Sequence, residues 1–453
     1  MRRLGILLLT VIVTACGGGG GDEPDVPQAG TSACSNDGQK QFVLDNLYAW
    51  FLWNDLLPAN INIADYASPE ELAVEVTRTF GPQDTNGGPL DRFSSVGSLQ
   101  ADQEFFDEGK FEGFGFSWRF TGQAQTEFTI VRTFADSPAD LGGLARGRRV
   151  LSLNSRSIAD IAANEGINAF FDAFDTIDFE IQPLEGDIFV ATISKDVVTI
   201  DPVPQWRIID AGNGRKVGYL ELATFISTAE EPFDEAFSAF NNAAVSEVIL
   251  DLRYNGGGLV NVADLLGDYL GGFVSNGLVF SNTEYNADRA DNNGSTLFSD
   301  IAGRSLNLSQ LVVVASRGTA SASELVTNGM IPHVDVGIVG DRTFGKPVGQ
   351  VGLKFCDKIL RPTSFRVANA LGAGDYFAGL PADCAAADDL TVAVGDDLDP
   401  NIIAAMSFLD TGACPVVALP GGVQKLTPDL QLPEIDRNAD RNMAPHRELL
   451  DAY

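Results

Sequence analysis

Between residues 201 and 430 the chain alternates short, largely apolar runs with longer stretches whose apolar residues recur at helical spacing. The apolar runs predict buried β-strands, and they lie at 217–222, 248–252, 311–314 and 336–339. The stretches with helical spacing lie at 232–244, 259–270 and 322–330. Strands that alternate with helices favour a mostly parallel sheet with helices on its faces, so an α/β domain is predicted here.

The rest of the chain shows two other patterns. Residues 41–104 are rich in apolar side chains, and Ser-Pro-Glu-Glu at 68–71 has the composition of a helix start. Residues 105–200 instead contain alternating, strand-like segments. We therefore predict a multidomain α/β protein. Its expected parts are a small N-terminal helical domain at 41–104, a β-rich domain at 105–200, the α/β domain at 201–430 and an acidic tail at 431–453.

The first 15 residues have the features of an export signal. A basic pair at 2–3 precedes an apolar stretch at 4–15 that is too short to span a bilayer comfortably. The small residues before Cys16 resemble the lipobox of bacterial lipoproteins, which implies cleavage before Cys16 and lipidation of its thiol. The glycine-rich residues 16–40 then predict a flexible linker. There are two alternatives to a lipoprotein signal. The segment is an ordinary secretory signal that is cleaved elsewhere, or it is not a signal at all.

The composition argues against several classes of function. With 30 basic and 62 acidic side chains the formal net charge is −32, which argues against nucleic acid as a partner because phosphate contacts require Lys and Arg. The same charge argues against electrostatic attachment to anionic lipids. With two histidines in the chain, a zinc site with several histidine ligands cannot be built. A Ser-His-Asp triad would have to use His333 or His446.

Four cysteines remain if Cys16 carries a lipid, and an even number in an exported chain predicts two disulfides. These four are Cys34, Cys356, Cys384 and Cys414. Three pairings are possible, and the sequence does not choose among them. Cys356 with Cys384 is the local pairing that we favour. Buried free thiols are the alternative.

Three short segments of the α/β domain contain residues suited to catalysis. In the first, Asp-Leu-Arg-Tyr-Asn-Gly-Gly-Gly at 251–258, a predicted buried strand ends in three glycines before a helix. Such a loop can present backbone N–H groups to an anion, although a tight turn without a ligand is the alternative. A nucleotide P-loop is disfavoured because no Lys-Ser or Lys-Thr follows the glycines. Asp251 and Arg253 are predicted to hold this loop through charge-assisted hydrogen bonds.

The second segment, Gly-Thr-Ala-Ser-Ala-Ser-Glu at 318–324, joins a predicted strand to a helix. A serine at this turn lies near the positive end of a helix dipole, and the Ala322 N–H can point at an oxyanion on a substrate carbonyl. The third segment, 343–350, places Lys346 between apolar residues after a buried strand. Desolvation there would favour the neutral amine, which can accept a serine proton. Taken alone, the two segments would be a helix cap and a surface lysine.

Together, the sequences DLRYNGGG, TASASE and TFGKPVGQ resemble the carboxyl-terminal processing, or tail-specific, serine peptidases. The resemblance implies that Ser321 is the nucleophile, that Lys346 is its general base 25 residues later, and that Gln350 orients the lysine. It implies a Clp/crotonase-like core. The amides expected to form the oxyanion hole are those of Ala322 and of Gly256 or Gly257. A Ser-Lys dyad requires no imidazole, metal or cofactor.

The β-rich domain resembles a PDZ domain of the bacterial protease type, and the sequence DSPADLGGLARGRRVLSLN at 136–154 carries the likeness. The glycines near the start of the domain, Gly113 and Gly115, allow backbone N–H groups to turn toward a peptide carboxylate. The peptide then adds as a strand to the sheet edge. The residues assigned to peptide binding are Gly113, Phe114, Gly115 and Phe116. A small sheet domain without a peptide ligand is the alternative.

The sequence therefore predicts a serine endopeptidase that cleaves exported proteins with exposed C-terminal tails. Its expected partners are protein or peptide substrates and a membrane, which it reaches through a lipid anchor at Cys16. Because Gly17 follows that cysteine, the resemblance to lipoproteins favours the periplasmic face of a Gram-negative outer membrane. Two alternatives stay open: a catalytically inactive ligand- or peptide-binding lipoprotein on the same fold, and a hydrolase that uses His333.

Overall fold

A computed structural model of the protein describes three stretches of the chain, which are 32–122, 126–419 and 422–425. The predictions for the export signal, for the lipid anchor at Cys16 and for the acidic tail lie outside these residues. Within them, no helix is both long and apolar enough to cross a membrane. The described residues form a small helical unit, a β-rich module and an α/β domain.

The helical unit contains three helices and one strand. These are α1 (Asn36–Trp50), α2 (Pro69–Phe80), β1 (Ser95–Ser98) and α3 (Leu99–Glu108). Helix α2 begins as the sequence predicts, because the Ser68 side chain accepts a hydrogen bond from the Glu71 N–H and Pro69 occupies the first turn. The local capping chemistry is therefore sufficient to define the start of this helix.

The linker predicted at 16–40 is wrong in its last residues, because α1 begins at Asn36. The Ser35 side chain caps this helix by accepting a hydrogen bond from the Gly38 N–H at 3.2 Å. Lys40 is 4% exposed, and its ammonium donates to the Tyr66 carbonyl at 3.1 Å. The described end of the predicted linker instead provides a helix cap at Ser35 and a buried lysine with a hydrogen-bond partner.

The β-rich module spans residues 110–199. Its strands are β2 (Lys110–Gly113), β3 (Phe116–Thr121), β4 (Glu127–Thr133), β5 (Arg149–Leu153), β6 (Arg156–Ser157), β7 (Thr176–Gln182), β8 (Phe189–Ser194) and β9 (Asp196–Thr199). Its helices are α4 (Pro138–Leu141), α5 (Ile158–Asn164) and α6 (Ile167–Ala173). The main sheet has the order β3-β4-β5-β7-β8, with β6 beside β5, and all of its pairings are antiparallel. Strand β3 is therefore an edge strand of the main sheet.

The α/β domain follows the module. Its strands are β10 (Gln205–Asp210), β11 (Lys216–Glu221), β12 (Glu247–Asp251), β13 (Val279–Tyr285), β14 (Gly294–Leu297), β15 (Gln310–Ala315), β16 (Asp335–Gly340), β17 (Val348–Gln350), β18 (Leu353–Phe355), β19 (Lys358–Arg361), β20 (Thr363–Ala368), β21 (Cys384–Ala385), β22 (Val416–Leu419) and β23 (Gly422–Lys425). Its helices are α7 (Glu230–Asn242), α8 (Val260–Ser275), α9 (Ala322–Met330) and α10 (Pro400–Thr411). Short 3₁₀ turns lie at Ser32–Cys34, Asn54–Leu56, Ile63–Asp65, Ser227–Ala229 and Ala287–Asn292.

A six-stranded sheet of order β10-β11-β12-β15-β16-β21 forms the centre of the α/β domain. Its first pairing is antiparallel and the other four are parallel. Alternate residues of the central strands face opposite layers: Leu250 packs in the cluster that contains α7, α8 and α9, whereas Ile249 packs in the cluster that contains α10. Both faces are therefore covered, which explains why these strands read as continuous apolar runs.

The helical unit shares its core with the α/β domain. Leu47 and Val76 of its helices pack with Leu353 of β18 and Leu360 of β19. Strand β1 also pairs antiparallel with β19, in one sheet with β18. A second sheet of the domain has the order β14-β13-β20-β17. The helical unit is thus attached to the segment of chain that follows β17, which becomes important at the candidate site.

Two disulfides are present among the described residues, as predicted, but the favoured pairing of Cys356 with Cys384 is wrong. Cys34 pairs with Cys356 across 322 residues, and Cys384 pairs with Cys414 across 30. Cys384 begins β21, the edge strand of the central sheet, while Cys356 lies between β18 and β19 of a separate sheet. Sequence distance suggested the wrong pair because these two cysteines belong to different sheets.

Replacing Cys384 and Cys414 together by serine should lower the free energy of unfolding by about 3.6 kcal/mol, since the bridge closes a loop of 30 residues. Urea denaturation of the variant and the wild type under oxidising conditions measures this. Peptide mapping without reductant should recover Cys34 linked to Cys356. A peptide that links Cys356 to Cys384 would contradict the structure.

Candidate active site

The glycine loop, residues 253–258, follows β12 and rests on a buried ion-pair network. Arg253 is 1% exposed, and its guanidinium donates to both carboxylate oxygens of Asp251, at 3.0 and 2.6 Å. It also donates to Asp399 at 2.6 Å. Two carboxylates therefore offset the cost of burying this cation. Asp251 and Arg253 have the structural role that the sequence predicted for them.

The serine turn, residues 318–323, joins β15 to α9. Ser321 has φ 55° and ψ −114°, a backbone conformation that is unfavourable for a residue with a Cβ atom. The Ala320 N–H and the Ser323 hydroxyl both donate to the Asn255 carbonyl, at 3.1 and 3.0 Å, and so fix the turn to the glycine loop. Ser323 is fully buried, which leaves Ser321 as the serine of this turn that lines the cleft described below.

Gly257 brings the glycine loop directly against the serine turn. Its φ is 104°, and a Cβ atom there would lie 2.8 Å from Ser321 Cβ and 2.9 Å from the Ala322 nitrogen. A glycine is therefore required both for backbone conformation and for space. Its own N–H donates to Asn255 Oδ1 at 2.9 Å, so Gly257 is not a free oxyanion donor in this conformation. No hydrogen bond between described residues occupies the N–H of Gly256 or Ala322.

Lys346 lies in the lysine loop, residues 341–347, between β16 and β17. Its side chain is buried, with the residue only 5% exposed, and Nζ donates to Gln350 Oε1 at 2.7 Å. Gln350 is itself fixed, because its Nε2 donates to the carbonyls of Phe93 and Arg361, both at 2.8 Å. The Phe93 ring centroid lies 5.0 Å from Lys346 Nζ. Gln350 thus orients the amine and is oriented in turn by two backbone groups.

Burial lowers the pKa of Lys346 to about 8, because desolvation disfavours the ammonium form. The negative charges of Asp91 and Glu324 oppose this shift, and the positive charge of Arg361 adds to it. A lysine with this pKa has an appreciable fraction of neutral amine slightly above neutral pH. The neutral amine is the form that accepts a proton, so the environment makes Lys346 suitable as a general base.

The carboxylate of Glu324 connects the serine turn to the lysine loop. One oxygen accepts from the N–H of Ser321 at 3.0 Å and from the N–H of Lys346 at 2.8 Å. The other accepts from the Gly345 N–H at 2.8 Å and from the Thr343 hydroxyl. Glu324 is fully buried, and desolvation raises its pKa while these four hydrogen bonds act to lower it. It therefore holds the two loops together.

Ser321 and Lys346 line one narrow cleft with a free volume of about 20 Å³. The other lining residues are mostly apolar, namely Val260, Ala322, Leu325, Pro347, Val348, Gly349, Phe365, Val367 and Tyr376. A larger cleft of about 430 Å³ lies between β10 and α10. In that cleft the hydroxyls of Ser407 and Thr411 donate to backbone carbonyls, so it presents no activated nucleophile. The small cleft is the candidate active site.

The segment assigned to peptide binding lies in the β-rich module and not at this cleft. Phe114 and Phe116 are fully buried in the module core. Gly115 has φ 89°, and its carbonyl accepts from the Phe134 N–H at 2.9 Å and from the Ser137 hydroxyl at 3.0 Å. Gly113 ends β2, and Phe116 begins the edge strand β3. The aromatic side chains therefore support the fold, and no other strand of the described residues pairs with the outer edge of β3.

His333 takes no part in the cleft. Its Nε2 lies 2.9 Å from the Val279 carbonyl oxygen, and its ring packs edge-on against Phe298 at 4.9 Å between centroids. It follows the C-terminal end of α9, whereas Ser321 precedes the N-terminal start of the same helix. The geometry therefore disfavours the hypothesis of a hydrolase that uses His333.

Sequence reasoning missed two contributions to the site. The first is Glu324, to which it gave only a local capping role, although the spacing Ser-x-x-Glu in TASASE is a capping-box pattern that points to this residue. The second is the Phe93 segment of the helical unit. It has no catalytic signature in the sequence, because tertiary contacts such as the pairing of β1 with β19 and the bond from Gln350 to the Phe93 carbonyl bring it to the lysine.

Comparisons with known proteins indicate the family of this chain. Residues 216–374 match the sequence model described as Peptidase family S41, and residues 38–95 match the Peptidase S41 N-terminal domain. The chain is 27% identical to carboxyl-terminal-processing peptidase 3, chloroplastic, of Arabidopsis thaliana, over 58% of this chain and 50% of that protein. It is 24% identical to the carboxy-terminal processing protease CtpA of Bacillus subtilis, over 57% of this chain and 54% of that protein.

Among solved structures, a crystal structure described as an S41 protease of Bacteroides fragilis superposes with a TM-score of 0.63. It is 23% identical and covers 82% of this chain and 97% of its own, which shows a shared fold. The chain spans about half the length of the curated relatives that it matches. The two family matches lie in the α/β domain and in the helical unit, and both indicate the same class of protein, the S41 peptidases. The chain therefore contains a peptidase family S41 domain at 216–374 and an S41 N-terminal domain at 38–95, and it is similar to carboxyl-terminal processing peptidases.

Replacing Glu324 by Gln should lower the free energy of unfolding by about 2–4 kcal/mol, because an amide NH₂ would face two backbone N–H donors in a buried site. Urea denaturation measures the loss. Glu284→Gln is the matched control, since Glu284 is exposed and should change stability by less than about 0.5 kcal/mol. Equal effects of the two substitutions would show that Glu324 does not hold the loops together.

Proposed function

We propose that this protein is a serine endopeptidase in which Ser321 is the nucleophile and Lys346 is the general base. The observation that carries the proposal is the shared cleft: a buried lysine with a lowered pKa and a strained serine at a helix start both line it. Gln350 Oε1 accepts a hydrogen bond from the lysine amine at 2.7 Å. This combination of groups is suited to nucleophilic attack on a peptide carbonyl.

The reaction begins with transfer of the Ser321 hydroxyl proton to the neutral amine of Lys346. The Ser321 oxygen then bonds to the substrate carbonyl carbon, and the negative charge moves to the carbonyl oxygen. The resulting ammonium of Lys346 returns its proton to the leaving amine as the peptide bond breaks and leaves an acyl-enzyme. A water molecule releases the acyl group when the same lysine acts as base a second time.

The oxyanion is stabilised by backbone N–H groups at the junction of the glycine loop and the serine turn. The N–H of Ala322 starts helix α9, where the helix dipole favours negative charge. The N–H of Gly256 is the second donor, because that of Gly257 is already bonded to Asn255. Donors fixed in this way stabilise developing charge without reorganisation during the reaction.

The substrates that we propose are exported proteins with exposed, apolar C-terminal tails. The β-rich module is PDZ-like in this proposal, and the edge strand β3, which begins just after Gly113–Gly115, accepts the tail as an added strand. The mostly apolar lining of the cleft favours an apolar side chain next to the scissile bond. We further propose that a lipid on Cys16 anchors the enzyme to the periplasmic face of the outer membrane.

The module contacts the candidate site through arginines. The Arg146 guanidinium donates to the Tyr254 hydroxyl at 2.8 Å and to Asp388 at 2.5 Å. Tyr254 also donates to Asp388, and it belongs to the glycine loop beside the proposed oxyanion donor Gly256. Arg132 of the module pairs with Glu221 at the end of β11. These buried ion pairs support a proposal in which occupancy of the module affects the catalytic loops.

Ser321→Ala and Lys346→Met should each reduce hydrolysis of unfolded casein by a factor on the order of 10⁴ or more, while circular dichroism stays native. Ser321→Ala should also abolish labelling by a fluorophosphonate probe. His333→Gln is the control, since its amide can still donate to the Val279 carbonyl, and it should keep nearly full activity. Undiminished hydrolysis by Ser321→Ala would refute the proposed nucleophile. Absence of labelling and cleavage in the wild type would favour a non-enzymatic binding protein.

A peptide with a free, apolar C-terminus should be cleaved with a kcat/KM about tenfold higher than the same peptide with an amidated C-terminus. The reason is that charge-assisted hydrogen bonds from backbone N–H groups are lost when the carboxylate is removed. The matched pair of peptides differs in no other group, so the comparison isolates recognition of the terminus. Equal kcat/KM values would contradict tail recognition while leaving the proposed dyad intact.

A further inference from the structure

Asp91 is a buried carboxylate of the helical unit with one oxygen that lacks a partner. It is 1% exposed, and Oδ1 accepts from the N–H groups of Phe93 and Ser94 at 3.0 and 3.2 Å and from the Thr363 hydroxyl at 2.8 Å. Oδ2 is buried and has no hydrogen bond to any described residue. Burying half of a carboxylate without a partner is costly unless a positive charge lies nearby.

The hydrogen bonds of Asp91 place it beside the groups that hold Lys346. Thr363, which donates to Asp91, is the strand partner of Gln350 in the pairing of β17 with β20. Phe93, which also donates to Asp91, accepts from Gln350 through its carbonyl, and its ring contacts Lys346 Nζ at 5.0 Å. Asp91 therefore belongs to the same packed cluster as the lysine amine, although the two residues come from different units of the fold.

Three charges act on the Lys346 amine, and they differ in how far they are already neutralised. Glu324 uses both oxygens to accept four hydrogen bonds from the serine turn and the lysine loop. Arg361 is paired with Asp102 through two hydrogen bonds, at 2.7 and 2.8 Å. Asp91 is the carboxylate of this set whose second oxygen is uncommitted.

Two further ionisable side chains lie close to this cluster. The Arg92 guanidinium lies over the rings of Phe93 and Phe344, at 5.5 and 4.9 Å from their centroids. Tyr376 lines the cleft, and desolvation raises its pKa well above the usual range, so it stays neutral wherever the lysine titrates. Neither supplies a negative charge, so they do not replace Asp91 as a partner for an ammonium group.

We propose that Asp91 is a positioning residue for the dyad, because its uncommitted carboxylate oxygen stabilises the ammonium that Lys346 becomes after it takes the Ser321 proton. This inference rests on the proposed function. Asp91 takes no part in the proton transfer: the proton travels from Ser321 to Lys346 and then to the leaving amine. Without Asp91 the apolar cleft would leave the ammonium insufficiently stabilised.

The arrangement gives the helical unit a part in catalysis that its sequence does not suggest. The unit supplies the counter-charge, while the α/β domain supplies the nucleophile, the base and the oxyanion donors. The pairing of β1 with β19 and the Cys34–Cys356 bridge both fix this unit to the chain near Gln350. A charge carried on a separate unit requires such attachments, because its effect on the amine falls with distance.

Asp91→Asn tests the proposal cleanly. The amide oxygen can keep the three hydrogen bonds of Oδ1, and the NH₂ group replaces an oxygen that has no partner, so the charge is removed without removal of a hydrogen bond. The pKa of Lys346 should fall by about one unit from its value of about 8, because a nearby negative charge no longer favours the ammonium.

The titration should be measured in the Ser321→Ala protein by NMR of isotopically labelled lysine side chains, with the Lys346→Met spectrum used for assignment. This readout does not depend on catalysis. In the active enzyme, the acidic limb of the kcat/KM profile should move to lower pH by the same amount, and the plateau should fall because the amine is a weaker base. A purely structural role would lower the plateau without moving the limb.

Thr363→Val is the control, since it removes one hydrogen bond from Asp91 and leaves the charge in place. The pKa of Lys346 should therefore not change in this variant.

If Asp91→Asn fails to fold, Asp91→Ser removes the charge and keeps a hydroxyl acceptor for the turn. An unchanged or raised Lys346 pKa in the charge-removing variant would overturn the inference, as would an equal shift in Thr363→Val. If the NMR titration shifts but the wild type shows no peptidase activity, the proposed function is refuted, while the effect of Asp91 on the Lys346 pKa stands.

Discussion

The buried carboxylate of Glu324 is the interaction on which the geometry of the candidate site depends. Its two oxygens accept four hydrogen bonds, and the donors come from both the serine turn and the lysine loop. A fully buried anion is tolerated only when its acceptor positions are satisfied, so the two loops cannot separate without leaving the charge unpaired. The bonds that stabilise the carboxylate therefore also keep Ser321 and Lys346 on the same cleft.

The constraint at Glu324 explains why an unfavourable backbone at Ser321 persists. A positive φ at a residue with a Cβ atom costs about 1–3 kcal/mol and requires surroundings that fix the conformation. Here the Ser321 N–H is held by Glu324, the preceding residue is held by the Asn255 carbonyl, and the close approach of Gly257 excludes a shift toward the glycine loop. The strain presents the serine hydroxyl at the start of helix α9, next to the proposed oxyanion donors.

The central sheet and its helices could be predicted from the sequence because their signals are local. Continuous apolar runs located β12, β15 and β16, and helical spacing located α9 at its observed bounds of Ala322–Met330. Three short motifs indicated Ser321, Lys346 and Gln350, which the structure brings together. The disulfide pairing, the start of α1 and the partners of the lysine could not be predicted, because they depend on which distant segments pack together.

A lysine that acts as a general base makes two opposing demands on its surroundings. It must be neutral to accept a proton, and desolvation in an apolar cleft favours that state; it must then carry the proton as a cation, which the same desolvation disfavours. Glu324 cannot meet the second demand fully, since its oxygens are committed to backbone groups and to Thr343. In our proposal Asp91 supplies the second negative charge, because its Oδ2 accepts no hydrogen bond from a described residue. The pKa of about 8 is the balance between these effects, low enough for a base and high enough for an acid.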